Sequence, residues 1–359
     1  MVDQQISPAM MGWDIGGAHL KAVRLNGHGL VDFTRQEACP LWQGLDQLED
    51  ALNRIFSALP GDPPDHHAIT MTGELADNFS NRSEGVMALT AAMRTRLGPR
   101  RVKVFAGKKP LIPAEHLKLA DAPKVASANW LASGLWAASC IKEAVFMDVG
   151  STTTDLLTIS DHQVFHQGYT DSERMGYDEL LYTGVVRTPA MMLSQRAPLE
   201  GVWSSVMAEF FASASDIYRL TGELPEHADQ MPTADHGPKT QEGSRQRLAR
   251  QFGRDAESLT DRSWQKLAFY LRERQLMTLL DALELQLSRN LIGPSAPLIG
   301  AGVGRFLVKL LAGRLQRPYM DFCDFFSRSN SCATDFQIAD CGPAAAVACL
   351  ALRELDLPK

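Results

Sequence analysis

Two stretches of the chain carry the same device: Gly12-Trp13-Asp14-Ile15-Gly16-Gly17-Ala18-His19-Leu20-Lys21 and Phe146-Met147-Asp148-Val149-Gly150-Ser151-Thr152-Thr153-Thr154-Asp155. In each, apolar residues suited to a buried strand end on an Asp, and a glycine-containing turn follows. The small residues after the Asp let backbone N–H groups approach a phosphate closely, so each copy suits a phosphate or diphosphate. One such loop alone is an ordinary tight turn. Two loops, each opening a strand, a turn and a further strand, mark an internal duplication.

Around these loops the chain reads as alternating strands and helices. Leu20 to Arg24 and Gly29 to Phe33 read as strands joined by an Asn26-Gly27 hairpin turn. Leu45, Leu48, Leu52, Ile55, Phe56 and Leu59 recur at helical spacing, and Pro60-Gly61 stops that helix before a strand ending near Thr70. A helix over Gly85 to Leu97, a strand over Val102 to Phe105 and a small-residue helix over Asn129 to Ser139 follow. After Asp155 the pattern restarts with Leu156 to Ile159, a turn near Asp161, and Val164 to Gln167. His162 and His166 fall in that alternating segment, which places them on one sheet face at the surface rather than as a helical metal pair. From about Ala190 to Leu291 the chain reads as mostly helical, interrupted by the polar stretch Glu223 to Asp261, expected to be a loop, a lid or a mobile segment. A third glycine cluster, Gly300-Ala301-Gly302-Val303-Gly304, follows the strand Leu298-Ile299 and precedes a helix over Phe306 to Leu315. A last small-residue helix covers Ala344 to Leu355.

At 359 residues, with 45% hydrophobic and 22% charged residues, the chain can bury two cores. The expected division is 1–140 plus 341–359 as the first domain and 141–340 as the second, with a helical and lid insertion over about 190–290. A net charge of −6 argues against a nucleic-acid partner, which needs concentrated Lys and Arg. Arg94, Arg96, Arg100 and Arg101 then read as a solvated face. Six cysteines without a Cys-x-x-Cys pair suggest neither a zinc site nor a disulfide framework, which fits a reducing cytoplasm. Met1 to Met10 has no leader-like pattern, and no later run is long enough to span a bilayer. The expectation is a cytoplasmic protein acting on small-molecule substrates, with no membrane partner; a homo-oligomer stays open.

In this frame Asp14 and Asp148 face each other across a cleft and hold Mg²⁺ through water. Gly16, Gly17, Gly150, Ser151, Thr152, Thr153 and Thr154 hold phosphoryl oxygens. Lys21 either neutralises the anion or lies on the outward face of its strand. Gly300 and Gly302 suit ligand approach to a helix N-terminus or close helix-sheet packing. Asp321 lies at about the spacing of a ribose-binding acid, but Arg305 stands where a nicotinamide fingerprint needs its last glycine, so that reading is set aside. Glu74 is a general base, a residue behind the metal, or an exposed acid near a helix start. Arg187, in Tyr182-Thr183-Gly184-Val185-Val186-Arg187-Thr188-Pro189, is an anion clamp or a surface residue. Thr183 of that run joins the substrate-binding set, and Asp235 in the polar stretch is a ligand contact or a solvated loop acid.

Two Asp-Gly loops and a late Gly-x-Gly loop resemble the actin/Hsp70/sugar-kinase ATPase superfamily, which implies an α/β fold of two duplicated ribonuclease-H-like domains. More narrowly, the two Asp loops, Thr70-Met71-Thr72-Gly73-Glu74-Leu75, Ala128-Asn129-Trp130, the 182–189 run, Ala208-Glu209-Phe210-Phe211-Ala212 and Pro232-Thr233-Ala234-Asp235 resemble one branch of the hydantoinase A/oxoprolinase group. That branch is the tetrahydromethanopterin-linked C1-transfer protein family, related to the archaeal methanofuran-biosynthesis synthase. The resemblance implies a transferase joining an aminomethyl-furanmethanol diphosphate to the phenol oxygen of a tyramine- or tyrosine-type acceptor, with pyrophosphate leaving. It implies Asp14 and Asp148 on the metal, the glycine loops on the diphosphate, Glu74 or Asp155 as the base, and Arg187 on the leaving group. The shared fold also permits an ATP-dependent small-molecule kinase, a hydantoinase/oxoprolinase-like hydrolase subunit, or a nucleotide-switched scaffold. The loop at Gly300 separates these: it holds adenosine in a kinase and is narrowed in a transferase.

Overall fold

The computed structural model describes residues 8–98, 101–107, 111–330, 332 and 336–356. Residues 1–7, on which most of the leader argument rests, and Arg100 of the basic cluster lie outside the described residues.

The first half runs β1 (Met10–Ile15), β2 (His19–Leu25), β3 (Val31–Ala38), α1 (Asp46–Ala58), β4 (His66–Met71), α2 (Arg82–Leu97), β5 (Val102–Val104), β6 (Ile112–Pro113), α3 (Ala122–Val125) and α4 (Asn129–Cys140). The second begins with β7 (Ala144–Val149), β8 (Thr154–Ser160), β9 (Gln163–Phe165), α5 (Asp171–Gly176) and β10 (Leu180–Leu181). It continues through β11 (Arg196–Leu199), β12 (Val202–Ser205), α6 (Ala214–Thr221), α7 (Gln241–Gln251), α8 (Asp261–Leu287), β13 (Leu298–Ala301), α9 (Arg305–Arg314), β14 (Tyr319–Asp321) and α10 (Gly342–Asp356).

The first sheet has the order β3-β2-β1-β4-β5-β6 and the second β10-β8-β7-β13-β14, with β9 also on β8. In both, an antiparallel meander is followed by parallel strands added on the far side of its first strand. The same path taken twice is the duplicated ribonuclease-H-like arrangement of the actin and sugar-kinase class. Because β1 has a parallel neighbour and helices over its faces, all six of its residues are buried.

Two small-residue helices join the halves. Ala132 of α4 and Ala344 of α10 share one core with Met10, Val23 and Ala68 of the first sheet and Phe146, Leu157 and Ile299 of the second. Gly12 shows how close this packing is: a Cβ there would lie 1.9 Å from the carbonyl oxygen of Ala344. Any side chain at Gly12 would push α10 off β1 and open the shared core. This core sets the two Asp loops opposite each other.

Several local expectations change. The β2–β3 turn is longer than a two-residue Asn-Gly turn: the Asn26 Oδ1 accepts from the amides of His28 (2.9 Å) and Leu30 (3.1 Å). Gly29, at φ +71°, supplies the left-handed residue. The polar stretch Glu223 to Asp261 contains α7, so it is not simply a loop. Its order comes from charge and from apolar packing together: fully buried Arg247 bonds Asp216 (2.9 Å) and Asp235 (3.1 Å), and Leu248, Ala249 and Phe252 join a buried core with Trp264 and Leu267. The β11–β12 hairpin interrupts the region expected to be helical. His162 sits in a turn at φ +60°, and the rings of His162 and His166 are committed to the carbonyls of Ala138 and Gly168. All six cysteines are free thiols, and among the described residues no helix is long and apolar enough to cross a membrane.

Candidate active site

The duplicated turns are closed by the same bond. The Gly16 amide donates to the His19 carbonyl and the Gly150 amide to the Thr153 carbonyl, each at 2.9 Å. Register then places Asp14 beside Lys21 on β2, and Asp148 beside Asp155 on β8. The two turns border a cavity of about 410 Å³, whose other walls include Trp42, Asp77, Ser127, Asn129, Trp130, Asp171, Arg174, Tyr182 and Arg187. Gly16, Gly17, Lys21, Gly150, Ser151, Thr152 and Thr153 all line it, with Asp14, Asp148 and Asp155.

Charge in this cavity is governed by burial. Asp14 is 3% exposed and accepts from the Asn129 amide at 3.4 Å. Burial pushes its carboxyl upward while Lys21 pulls it down. Burial carries Asp148 up to about 7; Lys21 opposes this, and Asp155, Asp14 and Asp340 add to it. Burial alone would lower the Lys21 ammonium, but Asp14 and Asp148 hold it above its ordinary value, so Lys21 stays charged. The outward-facing alternative for Lys21 is therefore excluded. His19, 6% exposed, is driven down to about 3 by burial and by the Lys21 and Arg187 charges, which keeps it neutral. Its Nε2 has no hydrogen-bond partner.

Asp155 is held differently. Arg174, 1% exposed, donates to it at 2.8 Å, lies 4.0 Å from the Trp130 ring centre and also bonds the Glu179 carbonyl. Burial raises the Asp155 carboxyl, and Arg174 works against that rise. A carboxylate committed to a buried guanidinium is a poor free base, which corrects the reading of Asp155 as the base.

Glu74 is neither an exposed acid nor part of the cavity wall. It is 1% exposed, accepts from the Ser127 hydroxyl at 2.8 Å, and has an unpartnered Oε2. Burial pushes it up to about 7, with the Ser127 bond opposing. Arg187 does line the cavity, 5.4 Å from the Trp42 ring centre, and no acid pairs with it among the described residues.

Other residues brace the site without touching the cavity. Thr154 donates to the Thr183 carbonyl at 2.7 Å, and the Thr183 hydroxyl accepts from Gln275 at 2.8 Å. The amides of Val185 and Val186 bond the carbonyls of Gly150 and Ser151, so the 182–189 run acts as a splint for the second loop. Thr154 and Thr183 are thus corrected from ligand contacts to supports. Gly300 packs under Tyr319. Gly302, at φ +77°, backs Asp148: a Cβ there would meet the Asp148 Oδ1 at 2.4 Å. Neither glycine borders the cavity. Arg305 bonds Asp321 (3.0 Å) and Asp340 (2.5 Å), which occupies the acid that a ribose would need. Asp235 is away from the cavity, paired with Arg247 (3.1 Å) and Arg250 (2.9 Å). Slight burial raises its carboxyl, but the Gly237 amide and the two arginines bring it down to about 2. Its ligand role is not met.

The donor set bears on what the cavity can hold. Among the described residues no group of three or more His, Cys, Asp or Glu side chains is placed to hold a metal. Asp14 and Asp148 are hard oxygen donors that fit an ion taking one or two carboxylates and completing its shell from water and phosphate, as Mg²⁺ does. The sequence reading missed His19, Asp171, Arg174 and Trp42, and it gave Ser127 no role.

Comparison with known proteins gives four matches. A family model described as hydantoinase/oxoprolinase matches residues 65–243. The chain is 30% identical over 253 residues to the (4-{4-[2-(gamma-L-glutamylamino)ethyl]phenoxymethyl}furan-2-yl)methanamine synthase of Methanocaldococcus jannaschii, covering 70% of this chain and 74% of that protein. A protein of the same name from Methanococcus vannielii is 31% identical over 119 residues, 33% of this chain and 53% of that one. Among solved structures, nucleotide-free acetone carboxylase shares the fold at a TM-score of 0.51 and 10% identity, over 84% of this chain and 66% of that one.

Proposed function

We propose a reaction for this enzyme from the premise that the chain belongs to the (4-{4-[2-(gamma-L-glutamylamino)ethyl]phenoxymethyl}furan-2-yl)methanamine synthase family, in the hydantoinase/oxoprolinase group. It is a transferase of methanofuran-type cofactor biosynthesis. It joins an aminomethyl-furanmethanol diphosphate to the phenol oxygen of a tyramine- or tyrosine-type acceptor, and pyrophosphate leaves. The product is an aryl furfuryl ether, the linkage spelled by "phenoxymethyl" and "furan-2-yl" in the relatives' names.

The observation that carries this reading is the position of the cavity. It is bounded by both Asp loops, Lys21 and Arg187, while the Gly300–Gly304 turn, where a kinase would hold adenosine, lies outside its lining. That turn is packed with Tyr319, Val149 and Val185. A space that grips phosphates and presents the rings of Trp42, Trp130 and Tyr182 fits a diphosphate carrying a furan and a phenolic acceptor.

The chemistry asks little else of the site. A furfuryl carbon stabilises developing positive charge, so the barrier falls when the departing diphosphate is stabilised. Lys21 and Arg187 bring fixed positive charge, and the turns at Gly16-Gly17 and Ser151-Thr152-Thr153 border the same space. Asp14 and Asp148 would hold Mg²⁺, which when bound supplies further neutralisation of the diphosphate. His19 in the first turn is kept neutral and adds no charge to the site. The setting is cytoplasmic, tetrahydromethanopterin-linked one-carbon metabolism.

The test is a direct incubation. With Mg²⁺, the furfuryl diphosphate and tyramine, tyrosine or their glutamylated forms, the purified protein should release pyrophosphate and form the ether in equal amounts. ADP formation from ATP without turnover of the furfuryl diphosphate contradicts the reading.

A further inference from the structure

We propose that Ser127 is a catalytic residue that passes the proton of the acceptor phenol from the cavity to Glu74. The inference rests on the transferase reading; the resemblance already offers Glu74 as a base, and what is added is Ser127 as its link to the cavity.

The geometry carries it. Glu74 has no direct access to the cavity, whereas Ser127 lines it and donates its hydroxyl to the Glu74 Oε1 at 2.8 Å. With its proton turned to Glu74, the Ser127 oxygen has lone pairs left for a phenol in the cavity. Ser127 holds φ at +49°, a conformation that favours glycine, yet carries a hydroxyl-bearing side chain. Behind it Glu74 is wedged by α2: a Cβ at Gly85 would lie 2.5 Å from the Glu74 carbonyl oxygen. The carboxylate is buried behind the cavity wall, and its second oxygen is unpartnered.

Most competing bases are committed elsewhere. Asp77 also lines the cavity and is the one that Asp77→Asn tests: loss of the rise near pH 7 in that variant, with Glu74→Gln unaffected, overturns the relay. Asp155 is bound by Arg174, and Asp171, 3.4 Å from the Ser127 oxygen, is bound by Arg82 at 2.8 Å. His19 is driven too low to take a phenol proton. Asp14 and Asp148 face the diphosphate side beside Lys21.

The step balances. The Ser127 hydroxyl proton moves to the Glu74 carboxylate as the phenol proton moves to the Ser127 oxygen. The phenol oxygen forms its bond to the furfuryl methylene carbon, and the bond from that carbon to the diphosphate oxygen breaks. Pyrophosphate leaves with the electron pair, and Glu74 ends protonated.

Glu74 must start ionised. Its carboxyl is pushed up to about 7 by burial, with the Ser127 bond and Arg82 opposing and Asp171 adding; Tyr182 also lies within electrostatic reach. Turnover should therefore rise with pH and level off above about 7.

The test uses the full chain with Mg²⁺, the furfuryl diphosphate and tyramine. Ser127→Ala, Ser127→Gly and Glu74→Gln should each lower turnover about 100-fold and lose the rise near pH 7. Ser127→Gly suits the backbone at this position and guards against a folding defect. The Ser127→Ala, Glu74→Gln double variant should be no worse than either single one, because both break one path. Tyramines carrying several ring fluorines, ionised at neutral pH, should restore most of the loss. Ether formation that survives Ser127→Gly within threefold with its pH rise intact, or single losses that multiply in the double variant, overturns the relay alone. Wild-type protein that makes no ether from any phenol overturns the function and the relay with it.

Discussion

The two Asp loops share a backbone and differ in charge. Each turn closes with a 2.9 Å bond from its first glycine, and each Asp faces, in register, the residue seven positions on. In the first half that residue is Lys21, whose ammonium stays charged between Asp14 and Asp148. In the second it is Asp155, whose carboxylate is held by Arg174. Duplication thus supplied two turns of equal backbone, and the residue seven positions after each Asp sets much of what each presents. One presents a cation to the cavity, and the other an acid clamped into the wall. The second half also carries three hydroxyl residues, Ser151 to Thr153, where the first has Gly17, Ala18 and His19. The halves are therefore not interchangeable, and electrophile and acceptor can be bound with a fixed orientation.

The largest effect that sharpens this comparison is expected at Asp148. Asp148→Asn should cut ether formation by about 10³-fold, read as pyrophosphate release. The fold should survive, because a carboxyl raised to about 7 by burial stabilises only while protonated. That contribution is present below the ordinary carboxylate range and is lost as pH rises through about 7, so the variant's melting temperature should fall less than wild type's between pH 5 and 8. Near-normal turnover in folded Asp148→Asn removes its place in the site.

Lys21→Met comes next, with a loss of about 10²-fold in turnover that Lys21→Arg partly restores. A loss as small as twofold would mean that the charge difference between the halves has no part in the chemistry. Arg174→Met should act on stability first, by about 3 kcal/mol in denaturant unfolding, since it leaves Asp155 buried and unpaired. Asp235→Asn should be the smallest, costing about 1 kcal/mol with turnover unchanged. Asp235 is held down to about 2, so its stabilisation is present above the ordinary carboxylate value and is lost as pH falls through about 2. A change in turnover at Asp235 would return that residue to the site.

How much of this was legible in the chain depended on whether the signal was local. The Asp-Gly turns were legible because apolar strand, acid and small residues are contiguous, and their repetition pointed to the duplicated fold. Asn129 to Ser139 and Ala344 to Leu355 were legible as helices close to the observed α4 and α10. What those helices do, joining two sheets so closely that Gly12 tolerates no Cβ, is a tertiary fact. Lys21 could not be assigned a direction, because its neighbours in space, Asp14 and Asp148, come from both halves. Glu74 could not be told from an exposed helix-start acid because its burial comes from α2 and Ser127. Asp155 looked free because Arg174 is brought to it by α5. The polar stretch read as a loop, a lid or a mobile segment because its few large apolar residues, Leu248, Phe252 and Leu259, form a core only with Trp264 and Leu267 of α8, and because composition does not announce a buried Arg247.

The central claim is that this cleft breaks a bond from carbon to diphosphate oxygen. The direct measurement uses the furfuryl diphosphate with ¹⁸O in the oxygen bridging carbon and phosphorus, together with a phenolic acceptor. Cleavage at carbon places all of the label in the released pyrophosphate and none in the ether. Label retained on the furan product would mean cleavage at phosphorus, the outcome of a kinase or phosphatase site, and would contradict the account.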